Sequence, residues 1–339
     1  MTDKLKFQPK LGKWLTLLLG SVLIGLLVSG CGAEEPKVYR VGILSGLSFI
    51  TDIADGFKAE MAELGYVEGE NIVYDVQVTE FDMAVYQQTL QKFVDDEVDL
   101  IFVFPTEASI EAKAITQGTD VPVLFSFAQI EGMGLVESVR EPGGNITGVR
   151  YPGPDLALKW FEIMRKLAPE TTQMWVPYQR GYPIVGPQLE ALYPAAEAAG
   201  VTLVEVPADN TAELEAELAA RANAAELGPD AILIIAEPLG STPESFAVIG
   251  QFATERGIPF GGGGLSMEDN EAVFGLAVVP LDAGKQAAPL ADKILKGTPA
   301  GKIPVVSADS YLQLNYKVAQ ELGLNMDEGL LSQADEIIR

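Results

Sequence analysis

Small and hydroxyl-bearing residues follow three predicted strands in the first half of the chain, in loops at 45–49, 105–109 and 126–128. Each loop offers hydroxyls and backbone N–H groups at or near the start of a helix. Unsatisfied N–H groups and the helix dipole both favour negative charge, so these loops suit a carboxylate. Thr106 and Ser109 could instead cap their own helix, and the two roles can coexist. The candidate ligand contacts in this half are Ser45, Phe49, Thr106, Ala108, Ser109, Ser126 and Phe127.

The second half offers a matching set of loops at 178–182, 236–241 and 261–264. Four glycines in the last loop directly follow a predicted strand and would allow the backbone to approach a ligand closely. They do not form a phosphate-binding loop, because no lysine follows at the required spacing. A flexible connection between strand and helix is the alternative interpretation. The candidate contacts in this half are Tyr178, Glu237, Leu239, Ser241 and Gly263.

Aromatic residues in or near these loops could enclose an aromatic or aliphatic group. A favourable ring pair contributes about 0.5–1.5 kcal/mol beyond the area that it buries. We expect Phe104, inside an apolar strand, to belong to the core instead. The candidates for this role are Phe49, Phe127, Tyr151, Tyr178 and Tyr182.

The elements that must position these loops alternate between short β-branched runs and longer amphipathic segments, which is typical of βα units on a parallel sheet. The first half predicts strands at 38–44, 72–78, 100–104, 123–127 and 146–149, with helices at 52–64, 82–94 and 107–117. After a Gly- and Pro-rich break at 141–145, the pattern restarts with helices at 156–167, 187–199, 211–225 and 243–256. The strands between them are predicted at 173–176, 201–206, 231–235 and 258–261, followed by 272–278 and a helix at 282–295. Segment 305–312 is predicted to return across a hinge, and 314–322 to form a last helix.

This order predicts an α/β fold with two lobes that face each other across a cleft. Open α/β sheets bind ligands beyond the carboxyl ends of their strands, so the loops named above should face the cleft. The predicted first lobe contains residues 37–148 and about 282–310, and the second contains 149–281 and about 311–339.

Composition excludes several classes of function. The 339 residues include no histidine, which removes the usual Ser-His-Asp and Cys-His catalytic sites and any histidine-ligated zinc site. No carboxylate pair stands out from the general acidity, so we expect neither an enzyme nor a metal or other cofactor. The formal charge of −25 disfavours nucleic acid and anionic lipid as partners.

Cys31 is the single cysteine, and it ends the segment Leu27-Val28-Ser29-Gly30-Cys31 after an apolar run that four lysines precede. A basic region, a short apolar region and small residues before a cleavage point are the parts of a secretory signal. The segment resembles the lipobox of bacterial lipoproteins, which implies a signal peptide at 1–30, a diacylglyceryl group on Cys31 and a tether at 31–36. The alternative is a membrane anchor with a chance cysteine, although 15–30 is shorter than the roughly twenty residues of a spanning helix. Removal of 1–30 would change the formal charge from −25 to −28, because four lysines and one aspartate leave.

Three further segments carry a resemblance across nearly all of the remaining chain: 65–72 (GYVEGENI), 142–149 (PGGNITGV) and 334–338 (ADEII). Together with the lipobox, they resemble the substrate-binding lipoproteins of ABC importers, and more narrowly the subfamily described as tryptophan- or tyrosine-binding. The resemblance implies a type I periplasmic-binding-protein fold, in which two Rossmann-like lobes joined by a three-crossover hinge close around a small solute. The loops at 45–50, 105–109 and 176–180 depart from the pattern of the family. Those departures fall on the contact loops and leave the solute open.

The resemblance implies how an amino acid would be held. Its ammonium group would need an anion, and Glu237 and Asp282 are the candidates by loop position, although either could be a solvated surface carboxylate. The predicted function is capture of a small solute, an amino acid and in the narrower form an aromatic one, and its delivery to the permease of an ABC importer. The predicted protein is a monomer, held by its lipid to the outer face of the plasma membrane or in the periplasm. The alternatives are a solute sensor for a signalling receptor, or an import receptor for a nucleoside, a sugar or a branched-chain amino acid.

Overall fold

From residue 37 onward, the computed structural model describes residues 37–224, 228–267 and 270–339. The predicted lipidation site Cys31 and the tether lie outside the described residues, as does the predicted signal segment apart from Thr2. Within the described ranges, the strands form two large sheets of six and seven strands and one short hairpin.

The first sheet is parallel throughout, with the order β13-β5-β4-β3-β1-β2. Its central strands are buried on both faces, which explains their continuous hydrophobicity. We call this sheet and the helices packed on it the first lobe. Its elements are β1 (Tyr39–Ser45), α1 (Asp52–Glu63), β2 (Ile72–Val78), α2 (Met83–Asp95), β3 (Leu100–Phe104), α3 (Thr106–Ile115), β4 (Val123–Ala128) and β5 (Ile146–Arg150).

The second sheet has the order β15-β14-β12-β9-β8-β6-β7, and β14 runs antiparallel to β12. We call it, with its helices, the second lobe. Its elements start with α4 (Gly153–Leu167), β6 (Gln173–Gln179), α5 (Val185–Ala199), β7 (Thr202–Ala208), α6 (Thr211–Ala224), β8 (Ala231–Ile234), α7 (Pro243–Arg256) and β9 (Phe260–Gly262). A hairpin of β10 (Ser266–Met267) and β11 (Asn270–Glu271) precedes β12 (Phe274–Val278).

The end of the chain serves both lobes. Helix α8 (Pro280–Leu295) returns to the first lobe, where β13 (Val306–Ser307) pairs with β5. The last elements, β14 (Ser310–Asn315), α9 (Tyr316–Glu321), α10 (Glu328–Leu331) and β15 (Glu336–Ile338), belong to the second lobe. In the described part of the chain, the backbone therefore passes between the sheets three times, after β5, after β12 and after β13.

Two glycines allow α8 to pack directly on α1. A Cβ atom at Gly284 would overlap the carbonyl oxygen of Ile53, and one at Gly56 would overlap that of Leu281. Ser126 in β4 also donates a hydrogen bond to the Ala283 carbonyl at 3.3 Å. A helix from late in the sequence thus covers one face of the first sheet.

The structure corrects two predicted helix starts near the end of the chain. Segment 305–312, which was predicted to return across a hinge, contains β13 and the beginning of β14, and the chain crosses between the lobes where Ala308 donates its N–H to the Arg150 carbonyl. The last helix begins at Tyr316 rather than 314, since β14 continues to Asn315, whose side chain caps the helix by accepting the Val318 N–H. Helix α8 likewise begins at Pro280, with proline in its first turn, and not at Asp282.

Candidate ligand-binding site

A cavity of about 160 Å³ lies where the carboxyl ends of strands from both sheets approach each other. The first lobe contributes the loops after β1, β3 and β4, and the second contributes those after β8 and β9. None of the described residues that line it is a lysine or an arginine, whereas two are glutamates. The lining residues used below are Leu47, Phe49, Thr106, Glu107, Phe127, Gln129, Tyr151, Tyr182, Glu237, Ser241, Gly263, Gly264 and Met267.

Glu107 brings a carboxylate to the first-lobe side of this cavity. It is the second residue of α3, close after the buried strand β3. Both of its carboxylate oxygens are buried, and neither makes a hydrogen bond of good geometry with the described residues. The hydroxyl of Tyr182 nevertheless interacts with this carboxylate. A ligand that supplies further donors would reduce the cost of burying it.

Gln129 also lines this wall. It is fully buried, and its Nε2 donates to the Glu131 carbonyl at 3.2 Å. Its Oε1 has no hydrogen-bond partner among the described residues and lies close to Gly153, where an added Cβ atom would be 2.2 Å from it. The Gln129 N–H donates to Thr106 Oγ1 at 3.0 Å, which holds the loop after β4 against the start of α3.

The first turn of α3 also presents backbone donors. Its N-cap residue is Pro105, which has no side chain able to accept from the first N–H groups, and no side-chain cap is made. The first N–H groups of a helix have no partner within it. The start of α3 therefore combines free N–H groups with a carboxylate, the two kinds of group that an amino acid head requires.

Aromatic rings form much of the remaining wall. Phe49 is 63% exposed, and Phe127 packs against Tyr151 with 4.9 Å between ring centroids. The irregular pairing of β4 and β5 between Phe125 and Ala128 gives Phe127 a φ of 53°, a strained value for a bulky residue.

Tyr182 belongs to the second lobe and reaches the first. Its ring meets the ring of Phe81 edge-on, with 6.4 Å between centroids. Burial, followed by the charge of Glu107 and a side-chain hydrogen bond with it, raises the pKa of Tyr182 well above its usual range. The Tyr182 hydroxyl therefore keeps its proton and can donate at the cavity.

Glu237 lines the second-lobe side, but its carboxylate is already engaged. It is 4% exposed and accepts the N–H groups of Gln179 at 3.0 Å and Leu239 at 2.8 Å, and also that of Gly240. Burial raises the pKa of Glu237 to about 7, and the three N–H groups act in the opposite direction. Ser241 donates to the Glu237 carbonyl at 2.8 Å, so this loop is organised by internal hydrogen bonds.

The glycine run at 261–264 allows close backbone packing and also lines part of the cavity. Gly262 has a φ of 154°, and a Cβ there would overlap the carbonyl oxygen of Ile234. Gly263 and Gly264 line the cavity beyond it.

The structure brings together seven of the predicted site residues and places the rest outside the cavity. Phe49, Thr106, Phe127, Tyr151, Glu237, Ser241 and Gly263 line it, with Glu237 the one whose side chain is fully committed to backbone donors. Ala108 and Leu239 are buried next to lining residues without lining the cavity themselves.

The remaining candidates have other partners. Ser45 donates to the Leu47 carbonyl at 2.8 Å, and Ser109 donates to the Pro105 carbonyl at 2.7 Å, so both hydroxyls brace their own loops. Ser126 donates to α8, as described above, and Tyr178 donates to Glu205 on the neighbouring strand. Asp282 is an exposed helix residue that pairs with Lys285 at 3.0 Å.

Sequence reasoning missed Glu107 and Gln129, because it searched the first-lobe loops for hydroxyls. One signal was available. Glu107 has Ile110 and Glu111 at the positions where a same-helix cation would stand, so no local ion pair explains a carboxylate directly after an apolar strand.

Among the described residues, no helix is both long enough and apolar enough to cross a bilayer. The same residues contain no group of three His, Cys, Asp or Glu side chains that could hold a metal ion.

Comparison with known proteins identifies relatives of this fold. The family described as "ABC transporter substrate binding protein" matches residues 41–338. A tyrosine-binding protein of Clostridioides difficile (strain R20291) is 25% identical over 322 residues, which cover 88% of each chain. A Streptococcus pneumonia ABC domain in complex with L-Trp superposes with a TM-score of 0.73 at 23% identity, covering 88% of this chain and all of that one. A ligand-free, open substrate-binding protein with adhesive properties from Clostridium difficile gives 0.70 at 23% identity, covering 89% and 99% of the two chains.

Proposed function

Because the chain belongs to the ABC transporter substrate-binding protein family, we propose that it captures one amino acid between its lobes and delivers it to the permease of an ABC importer. The fold is that of a type I periplasmic-binding protein. The narrower proposal, an aromatic amino acid, rests on the walls of the cavity.

One observation carries the proposal: a single cavity, walled by both lobes, combines a buried acidic acceptor with aromatic rings. A zwitterionic head would lie at the start of α3, and an apolar side chain would lie against Phe127, Tyr151 and Tyr182. A ligand that contacts both lobes at once favours the closed arrangement over any open one. The cavity lacks basic residues among the described lining, which disfavours a purely anionic solute.

The relatives support the same class of solute. The tyrosine-binding protein is similar along most of its length, and the streptococcal structure holds L-Trp. Their ligands fit a cavity that has several aromatic rings around an amine acceptor.

We propose that the lobes move as bodies about the crossovers after β5, β12 and β13. The first lobe would then contain residues 39–150 and 280–307, and the second would contain 153–278 and 310–339. Binding and release require no covalent step, so the protein acts as a receptor and not as an enzyme.

We further propose that Cys31 carries the lipid of a bacterial lipoprotein and that the folded part works as a monomer outside the plasma membrane or in the periplasm. Metabolic labelling with a radioactive fatty acid tests the anchor. Label retained by the wild type and lost in Cys31→Ser would support it, whereas equal labelling of both would contradict it.

A thermal-shift screen of the purified protein against amino acids, nucleosides and sugars tests the solute. A ligand at 100 times its dissociation constant adds about 2.7 kcal/mol of stability, which is a clear shift. A shift with tyrosine or tryptophan supports the proposal. A shift with a sugar, a nucleoside or a branched-chain amino acid alone would replace the solute, and no shift with any class would contradict the assignment of this cavity as a solute-binding site.

A further inference from the structure

Glu107 places a buried carboxylate at one side of the cavity, although the residue as a whole is partly exposed. The hydroxyl of Tyr182 interacts with this carboxylate. One hydroxyl donates one hydrogen bond, whereas a carboxylate has about four acceptor positions. The fully buried Gln129 lies in the same wall, and its Oε1 has no donor among the described residues. This wall therefore has more acceptor positions than donors and selects for a group that only donates.

We propose that Glu107 and Gln129 form the binding site for a protonated primary amine of the captured solute. This inference rests on the proposed function and deepens it, because it assigns the amine to the first lobe and makes that amine a requirement. An ammonium group carries three N–H donors and no acceptor, which matches the acceptors in kind.

The geometry favours an ammonium group over a metal ion. Ca²⁺ takes 6–8 oxygen ligands, and no cluster of three acidic, histidine or cysteine side chains stands in the described residues. The neighbouring wall is aromatic, with Phe127 and Tyr151 in contact, and suits the apolar body of an organic ligand.

The other two carboxylates considered from the sequence do not fit the role. Glu237 already accepts three backbone N–H groups, so an amine would compete with bonds that shape its own loop. Asp282 is 53% exposed, pairs with Lys285 and does not line the cavity. Glu107 accepts no backbone N–H group from the described residues, so it keeps acceptor positions open to the cavity.

The position also accounts for the carboxylate of an α-amino acid, since both head groups are attached to one carbon. The N–H groups of the first α3 turn, next to Glu107, have no side-chain cap. At this helix start, the N–H donors would bind the carboxylate of the amino acid, and Glu107 would bind its ammonium group.

The test combines ligand chemistry with two matched variants, Glu107→Gln and Glu244→Gln. Glu244 is likewise the second residue of its helix, but it is exposed and lies outside the cavity, so its variant controls for the loss of a first-turn carboxylate. Calorimetric titration would use each amino acid that shifts the wild type and the same compound without its amine, for example L-tyrosine and 3-(4-hydroxyphenyl)propionate. We expect the amine-free compound to bind at least tenfold more weakly, and Glu107→Gln to weaken the amino acid by roughly 10- to 150-fold, the range for hydrogen bonds to charged groups.

The outcomes separate the inference from the function on which it rests. Equal binding of the amino acid and its amine-free analogue, or unchanged binding in Glu107→Gln, would overturn the amine site and leave the amino acid receptor standing. Binding of a sugar or nucleoside without any amine-bearing solute would overturn both the amine site and the proposed solute.

Discussion

The stability of this protein should fall as the pH rises from 5 to 8, because Glu237 is buried in the second lobe. Its folded-state pKa of about 7 lies above its usual value of 4.5, and burial is the cause. The protonated carboxyl therefore fits the folded state better than the carboxylate does. Its contribution to stability is fully present below pH 4.5 and is lost as the pH rises through 7.

The size of the effect follows from the shift in pKa. One pKa unit corresponds to 1.36 kcal/mol, so a rise from 4.5 to about 7 changes the free energy of unfolding by about 3 kcal/mol. The chain has no histidine, the side chain that ordinarily titrates in this window. Asp75, Glu213 and Asp230 have lowered pKa values, so stability tied to them is lost as the pH falls below their usual range and not between 5 and 8.

Urea unfolding of the wild type and Glu237→Gln at half-unit steps from pH 5 to 8 measures this contribution. The wild type should lose about 3 kcal/mol across the range, and Glu237→Gln should give a nearly flat profile. Glu190→Gln, which changes an exposed carboxylate on α5, should keep the wild-type slope. A flat wild-type profile would refute the reasoning, because it would mean that the three backbone N–H donors outweigh burial and keep Glu237 ionised.

Two further predictions concern packing and the hinge. Gly284→Ala should lower the free energy of unfolding by about 1–3 kcal/mol, because the new methyl group would overlap the Ile53 carbonyl. The control Gly186→Ala, in α5, should be neutral or stabilising, because a Cβ atom there meets open space. Equal effects of the two substitutions would contradict the close packing of α8 on α1. Arg150 is paired with Glu131 and Asp155 at the first crossover and is 18% exposed, so Arg150→Gln should cost about 1–3 kcal/mol in urea unfolding. An unchanged midpoint would show that these ion pairs contribute nothing measurable.

Much of the architecture was accessible from the sequence because it follows from hydrophobic pattern and local capping. Alternating strands and helices predicted two α/β lobes. The starts of α6 and α7 are fixed by neighbouring side chains: Asn210 accepts the Glu213 N–H, and Thr242 accepts the Ser245 N–H. These signals are local, so neighbouring residues suffice to read them.

The C-terminal segment from residue 305 was harder to predict, because the sheet that a strand joins depends on residues distant in the sequence. One β-branched run from 305 to 312 has no feature that says where it changes sheets, and that change depends on hydrogen bonds to Arg150, far away in the sequence. The start of α9 depended on Asn315, which the hydrophobic pattern assigned to a helix interior.

The candidate site shows the same division. Loop positions after strands pointed to Thr106, Phe127 and Ser241, which line the cavity, since parallel strands direct their carboxyl ends to one edge. The partners of each carboxylate could not be read in that way. Backbone N–H groups reach the carboxylate of Glu237 but not that of Glu107, and this difference depends on the conformation of the folded loops.

The three crossovers also govern the order in which the molecule can be completed as it is synthesised. The first sheet receives α8 and its edge strand β13 only from residues 280–307, after nearly the whole second lobe has emerged. Until then, the face of β4 that Ala283 covers stays open to water, and the core of the first lobe cannot be finished. Contacts between residues so distant in the chain slow folding, because a long loop must close before they form. The first lobe therefore cannot be completed until residue 307 of the 339 has been synthesised.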